Sequence, residues 1–141
     1  MQAAPGGSQW EFFEPITQDE LQRVKAVLGI HISGELLALL KETNGIRDKR
    51  FGDYAVFDAD QIIEYCLEHL EYVDSLGKEA PSEFLFFSDN GCGEHFGFEV
   101  VDGQIKSSQV GVYYPIGNEY RIVAPDLYTW AIEWYSGKLE T

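Results

Sequence analysis

The sequence predicts an α+β domain: a mainly antiparallel central sheet flanked by about four helices. Two observations predict it. Strand-like runs cluster after the middle of the chain and are joined by hairpin signals, and amphipathic stretches with recognisable helix caps stand before, between and after them. The run organising the rest covers residues 84–101. Phe84-Leu85-Phe86-Phe87 has strong strand preference and is bounded by the turn-forming Ser88-Asp89-Asn90-Gly91. After Gly91-Cys92-Gly93 the pattern alternates, with Phe96, Phe98 and Val100 on one face and His95, Gly97, Glu99 and Val101 on the other. Asp102-Gly103 then suits a two-residue hairpin turn, whose central positions need positive φ. This hairpin is expected at the centre of the sheet.

Taken in order, residues 1–14 read as a flexible lead-in, beginning with the Pro5-Gly6-Gly7 stretch, and residues 15–141 as one domain. Thr17-Gln18-Asp19-Glu20 matches a capping box, with Leu21, Val24 and Leu28 inward and Gly29 as the stop. Ser33 is the expected cap of a second helix carrying Leu36, Leu37 and Leu40, ended by Asn44-Gly45. These two helices are expected to form one layer. Residues 46–52 read as a polar loop holding Arg47, Lys49 and Arg50, followed by a first strand at Tyr54-Ala55-Val56-Phe57. A third helix starts near Asp60, with Ile62, Ile63, Cys66, Leu67, Leu70 and Val73 recurring toward the core. Later strands are expected at Val110–Tyr114 and at residues 120–123. Pro125 suits the first turn of a last helix, with Leu127, Trp130, Ala131 and Trp134 inward and Gly137 as its end.

Charge is the informative bulk property. The 141 residues carry 10 Lys or Arg against 24 Asp or Glu, a net charge of −14. Residues 51–105 hold thirteen of the acids and one lysine, a local net of −12. Such a chain repels nucleic acid and suits a basic partner. On the third helix Asp60, Glu64, Glu68 and Glu71 form one stripe opposite the apolar face, with Asp74 continuing it and no base spaced to neutralise it. A solvated face and a docking surface both fit that stripe. No apolar run approaches the ~20 residues of a spanning helix. Two cysteines without a signal-peptide pattern suit a reduced, cytoplasmic protein.

Three chemistries compete for the remaining signals. Gly91, Gly93 and Gly97 precede a strand, whereas a nucleotide-binding fingerprint would open a helix, so structural turns explain them better. Cys66-x-x-His69 and Cys92-x-x-His95 offer four zinc ligand types, but Cys66 sits on the apolar stripe and the spacing is no established finger. Ser88, Asp89 and His95 hold the residue types of a hydrolytic triad without a G-x-S-x-G elbow to present the serine. The expectation is therefore no catalytic residue, no cofactor and no metal.

The helix ending in Leu39-Leu40-Lys41-Glu42-Thr43-Asn44-Gly45, the Phe87-to-Phe98 strand and glycine turn, and the tryptophan-bearing segment from Ala124 to Gly137 together resemble the SUKH superfamily. That superfamily is known chiefly for immunity proteins against bacterial polymorphic toxins. Ile32-Ser33 stands where it usually has Leu-Pro, and Gly93-Glu94 where it has Gly-Asp. The resemblance implies an α+β fold that acts by binding a toxin domain, often a nuclease, without catalysis. Charge then points to Asp60, Glu64, Glu68, Glu71 and Asp74, with Asp89 and Glu94 adjoining, as the contact surface for a cognate protein toxin. A regulatory or scaffolding module of the same superfamily is the alternative, and a small hydrolase or zinc protein the second.

Overall fold

Three of the helices start where side chains satisfy unpaired N–H groups. The computed structural model describes residues 9–77 and 83–141. In it α1, Gln18–Leu28, opens on the expected capping box: Thr17 Oγ1 accepts from Glu20 N–H at 3.1 Å and Glu20 Oε1 from Thr17 N–H at 2.9 Å. It stops at Gly29 in the left-handed conformation, φ 72°. Helix α2, Gly34–Glu42, follows Ser33, whose hydroxyl makes no cap bond. Helix α3, Ala59–Ser75, has its own capping box between Asp58 and Gln61. Helix α4, Leu127–Tyr135, is capped by Asp126 and also by Glu35 of α2, which accepts from Leu127 N–H at 3.0 Å. Pro125 therefore precedes the cap and does not occupy the first turn, because Asp126 has the side chain a cap needs.

The strands form two antiparallel sheets, where the sequence predicts one central sheet. The smaller orders β1 (Trp10–Phe12), β2 (Ile46–Asp48) and β3 (Tyr54–Val56) as β1-β2-β3. Two expectations are corrected here. Residues 46–48 of the predicted loop are a strand, and Trp10–Phe12, within the predicted lead-in, pair with it. Backbone pairing and the Arg47 Nε to Glu11 Oε1 bond at 2.8 Å hold these strands, whose three-residue lengths are too short for a periodic pattern to announce them. The first eight residues of the lead-in lie outside the described residues.

The larger sheet contains β4 (Glu83–Asp89), β5 (His95–Val101), β6 (Gln104–Ile105), β7 (Val110–Tyr114) and β8 (Glu119–Ala124). Its order is β4-β5-β7-β8, with β6 paired to β5. The β4–β5 hairpin is not at the expected centre, because β7 and β8 add beyond β5 and leave β4 at the end of the order; Asp102 and Gly103 do make the next turn, with φ 51° and 75°. A 2.7 Å bond from Phe57 N–H to the Phe87 carbonyl, and another from the Ser88 hydroxyl to the Ala55 carbonyl, tie the sheets together.

Both faces of β4 are covered, which is why its aromatic run is buried without alternation. Phe84 and Phe86 meet His69 of α3, while Phe87 packs against Trp130 of α4. On the α3 face Gly97 and Gly111 are cross-strand partners. The Tyr120 ring lies over Gly111, and its hydroxyl donates to the Gly97 carbonyl at 3.0 Å. A Cβ on Gly97 would stand 2.5 Å from the Leu85 carbonyl oxygen, so this glycine serves close approach and supplies no unusual backbone angle.

Helix α1 packs against α3, a contact the two-helix layer does not predict, and it also shares a cleft with α2, lined by Leu21 and Lys25 of α1 and Leu37 and Lys41 of α2. The core stripe of α3 is Ala59, Ile62, Cys66, His69 and Val73. Leu67 and Leu70, predicted inward, are 38% and 52% exposed. The helix is rotated to bury His69 among the rings of β4 and β7, which carries those two leucines to its flank.

Candidate functional site

Helix α3 presents three faces, and two of them meet solvent with chemistry on them. Its acidic face is laid out as the helical spacing predicts: Asp60, Glu64, Glu68, Glu71 and Asp74 are all exposed. One prediction about it is corrected, since Arg23 of α1 forms an ion pair with Asp60. The pair comes from α1–α3 packing, which sequence spacing does not reveal. Among the described residues no base pairs with the other four acids. Glu68 feels this crowding: partial burial, repulsion from Glu64, a hydrogen bond with Glu64 and the charge of Glu71 together raise its carboxyl above the ordinary range.

Asp89 and Glu94 flank the glycine turn between β4 and β5, both half-buried. Asp89 Oδ1 accepts from Gly91 N–H at 2.9 Å, and Glu94 Oε1 from the Asn90 amide at 2.8 Å. Glu94 is thus occupied in holding the turn. Tyr65 links this region to the helix stripe, because burial and then the charges of Asp89, Glu64, Glu68 and Asp53 all raise its hydroxyl pKa. Asp89 also faces a second cleft of about 180 Å³ with Asp48 and Asp53, beside Trp134 and Tyr135. Burial, followed by Asp89 and Asp48, pushes the Tyr135 hydroxyl up to about 12. Asp48 and Asp53 were not singled out by sequence, since their approach to Asp89 depends on the junction of the two sheets.

Between the acidic and core faces of α3 lies an aromatic cleft of about 190 Å³. Tyr65, Glu68, His69 and Tyr72 line one side of it at helical spacing; Phe86, His95 and Tyr113 supply the other. His69 is 8% exposed, and neither ring nitrogen has a hydrogen-bond partner. Burial, with His95 nearby, holds its pKa at about 4, so the imidazole is neutral at pH 7. His95 is lowered by burial too, against the pull of Asp89 and Glu94. The Tyr65, His69, Tyr72 stripe at i, i+4, i+7 was the signal for this cleft, masked by grouping His69 with the cysteines.

The two C-x-x-H segments do not form one four-ligand set. Cys66 is buried and accepts from Phe86 N–H at 3.5 Å, whereas Cys92 is exposed on the turn. Burial pushes the Cys66 thiol up to about 12, which disfavours the thiolate a metal needs. Among the described residues no group of three or more His, Cys, Asp and Glu is placed to hold a metal. Cys66→Ser with Cys92→Ser is expected to keep the fold, with a loss of about 1–3 kcal/mol for the buried hydroxyl. Circular dichroism and elemental analysis of the unmodified chain check this; one zinc per chain, or unfolding of the double variant, would contradict it. Ser88 is fully buried with its hydroxyl committed to Ala55, so it is not presented as a nucleophile.

Among the described residues no helix is long and apolar enough to cross a membrane. No curated protein matches the chain. A family model does match, over most of the length and across both sheets: residues 15–133 fit the SMI1 / KNR4 family (SUKH-1), to which this chain therefore belongs.

Proposed function

We propose that this protein is a cytoplasmic immunity protein that binds and neutralises a cognate toxin domain, a basic nuclease, without catalysis of its own. Membership of a non-catalytic immunity and interaction family is consistent with this reading. The observation that carries it is the exposed acidic face of α3, where Glu64, Glu68, Glu71 and Asp74 have no intrachain base among the described residues. Asp60, shared with Arg23, contributes at the edge, and Asp89 extends the field past Tyr65. Glu94 adjoins it while holding the turn. Unneutralised like charges at helical spacing cost a helix a few tenths of a kcal/mol per pair, a cost that a basic partner offsets. Complementary charge acts mainly on association and suppresses wrong partners.

The test is association kinetics with the toxin domain encoded by the neighbouring gene. Glu64→Lys with Glu68→Lys is expected to slow association at low salt by about tenfold or more and to remove most of its salt dependence. Protection of toxin-expressing cells should weaken in parallel. Both side chains face water, so the fold should survive. An unchanged rate and salt dependence would make the stripe a solvated face only.

A further inference from the structure

The acidic face steers a basic partner, but steering does not say what the aromatic cleft beside it receives. His69 gives the first clue. A side chain 8% exposed with both ring nitrogens unpartnered bears an unmet desolvation cost, which a ligand reaching the cleft would relieve. The second is the cleft's polarity. Its walls are the rings of Tyr65, Tyr72, Phe86 and Tyr113, and the one carboxylate lining it, Glu68, belongs to the acidic stripe. Ring faces, a neutral imidazole with an acceptor nitrogen, and a carboxylate together favour a cation over an anion, which the Glu68 charge repels. The third is shape. The Tyr72 hydroxyl donates to the Pro115 carbonyl at 3.0 Å and closes one end, leaving about 190 Å³, room for one long side chain. A planar, weakly hydrated guanidinium stacks on such rings and donates to several acceptors at once, whereas an ammonium holds its water more strongly.

We propose that this cleft is the socket for one arginine side chain of the basic partner, stacked between tyrosine rings and hydrogen-bonded to Glu68 and to a ring nitrogen of His69. This rests on the proposed binding of a basic protein through the α3 face and assigns that face its anchor. A buried arginine anchor supplies the slow dissociation that surface charge does not.

The probe is N-acetyl-arginine amide, titrated against the full chain while imidazole and tyrosine ring signals are followed by NMR. Saturable shifts at His69, His95, Tyr65 and Tyr72 are expected. N-acetyl-citrulline amide, isosteric but uncharged, should bind about tenfold more weakly. Glu68→Gln should weaken the arginine probe about tenfold, while Glu42→Gln, an exposed acid at the end of α2 outside the cleft, leaves it within about twofold. Equal losses in the two variants, equal binding of citrulline, or shifts that never saturate would each overturn the socket. Tyr72→Leu, which removes a partly exposed cleft ring, should weaken the arginine probe as well, and unchanged binding would overturn the stacking. No toxin is needed, so the outcomes separate. Toxin binding with no socket for the probe leaves the immunity reading standing, and a socket without toxin binding does the reverse.

Discussion

Trp130→Ala is expected to lower stability by ~3–5 kcal/mol, among the largest losses a single substitution in this chain would cause. The ring is 1% exposed and meets Phe87 of β4 edge-on at 4.8 Å and 88°, and Phe96 of β5 at 5.2 Å. It joins α4 to both strands of the β4–β5 hairpin. Helix α4 spans nine residues, too short to persist by its own propensity, so removal of its anchor opens a cavity and loosens the helix together. Trp134 is only half-buried and touches Phe96 at 5.1 Å; its replacement by alanine should cost less. Trp130→Phe keeps an aromatic ring and removes an indole N–H that has no hydrogen-bond partner, so its cost should stay below about 1.5 kcal/mol. Urea midpoints check the order, and an unchanged midpoint in Trp130→Ala would place α4 outside the core.

The parts of the molecule legible in sequence are those whose cause is local. The Thr17–Glu20 box, the Gly29 stop and the Asp102-Gly103 turn each depend on a few neighbouring residues, and all stand where spacing places them. The acidic face of α3 belongs with them, since 3.6-residue periodicity alone brings Glu64, Glu68 and Glu71 to one side. What sequence did not reveal depends on contacts between distant segments. Trp10–Phe12 is a strand because β2 pairs with it across more than thirty residues, and Arg23 reaches Asp60 because α1 packs on α3. Counting every apolar residue toward the core also drew Leu67 and Leu70 inward, when His69 held the place between Phe84, Phe86 and Tyr113. Half of the aromatic cleft was therefore readable from α3, and the half from β4, β5 and β7 was not.

The burial of that histidine gives the second large expected effect, an acid-sensitive stability that His69 controls. In the folded chain its pKa is lowered from 6.5 to about 4 by burial and by His95, so the unfolded chain takes up the proton first. Stability due to the neutral ring is fully present above about pH 6.5 and is lost as pH falls toward 4, below which the folded ring is protonated as well. A shift from 6.5 to about 4 corresponds to about 3 kcal/mol across that window. Of the titratable groups around the ring, His95 on β5 is lowered too and adds in the same direction, whereas Glu68 on α3, its pKa raised, works the other way and gains stability as the pH falls. Tyr113 and Tyr65, both raised by burial, stay neutral throughout. His69→Leu, close in volume, removes the titration while the carboxylates common to both chains drop out of the comparison. Urea unfolding at pH 7.5, 6, 5 and 4 should show the variant gaining on the unmodified chain by up to about 3 kcal/mol as pH falls. Parallel acid profiles would mean that the ring is solvated in the folded state, and the cleft would then lose the unmet imidazole on which an arginine socket depends.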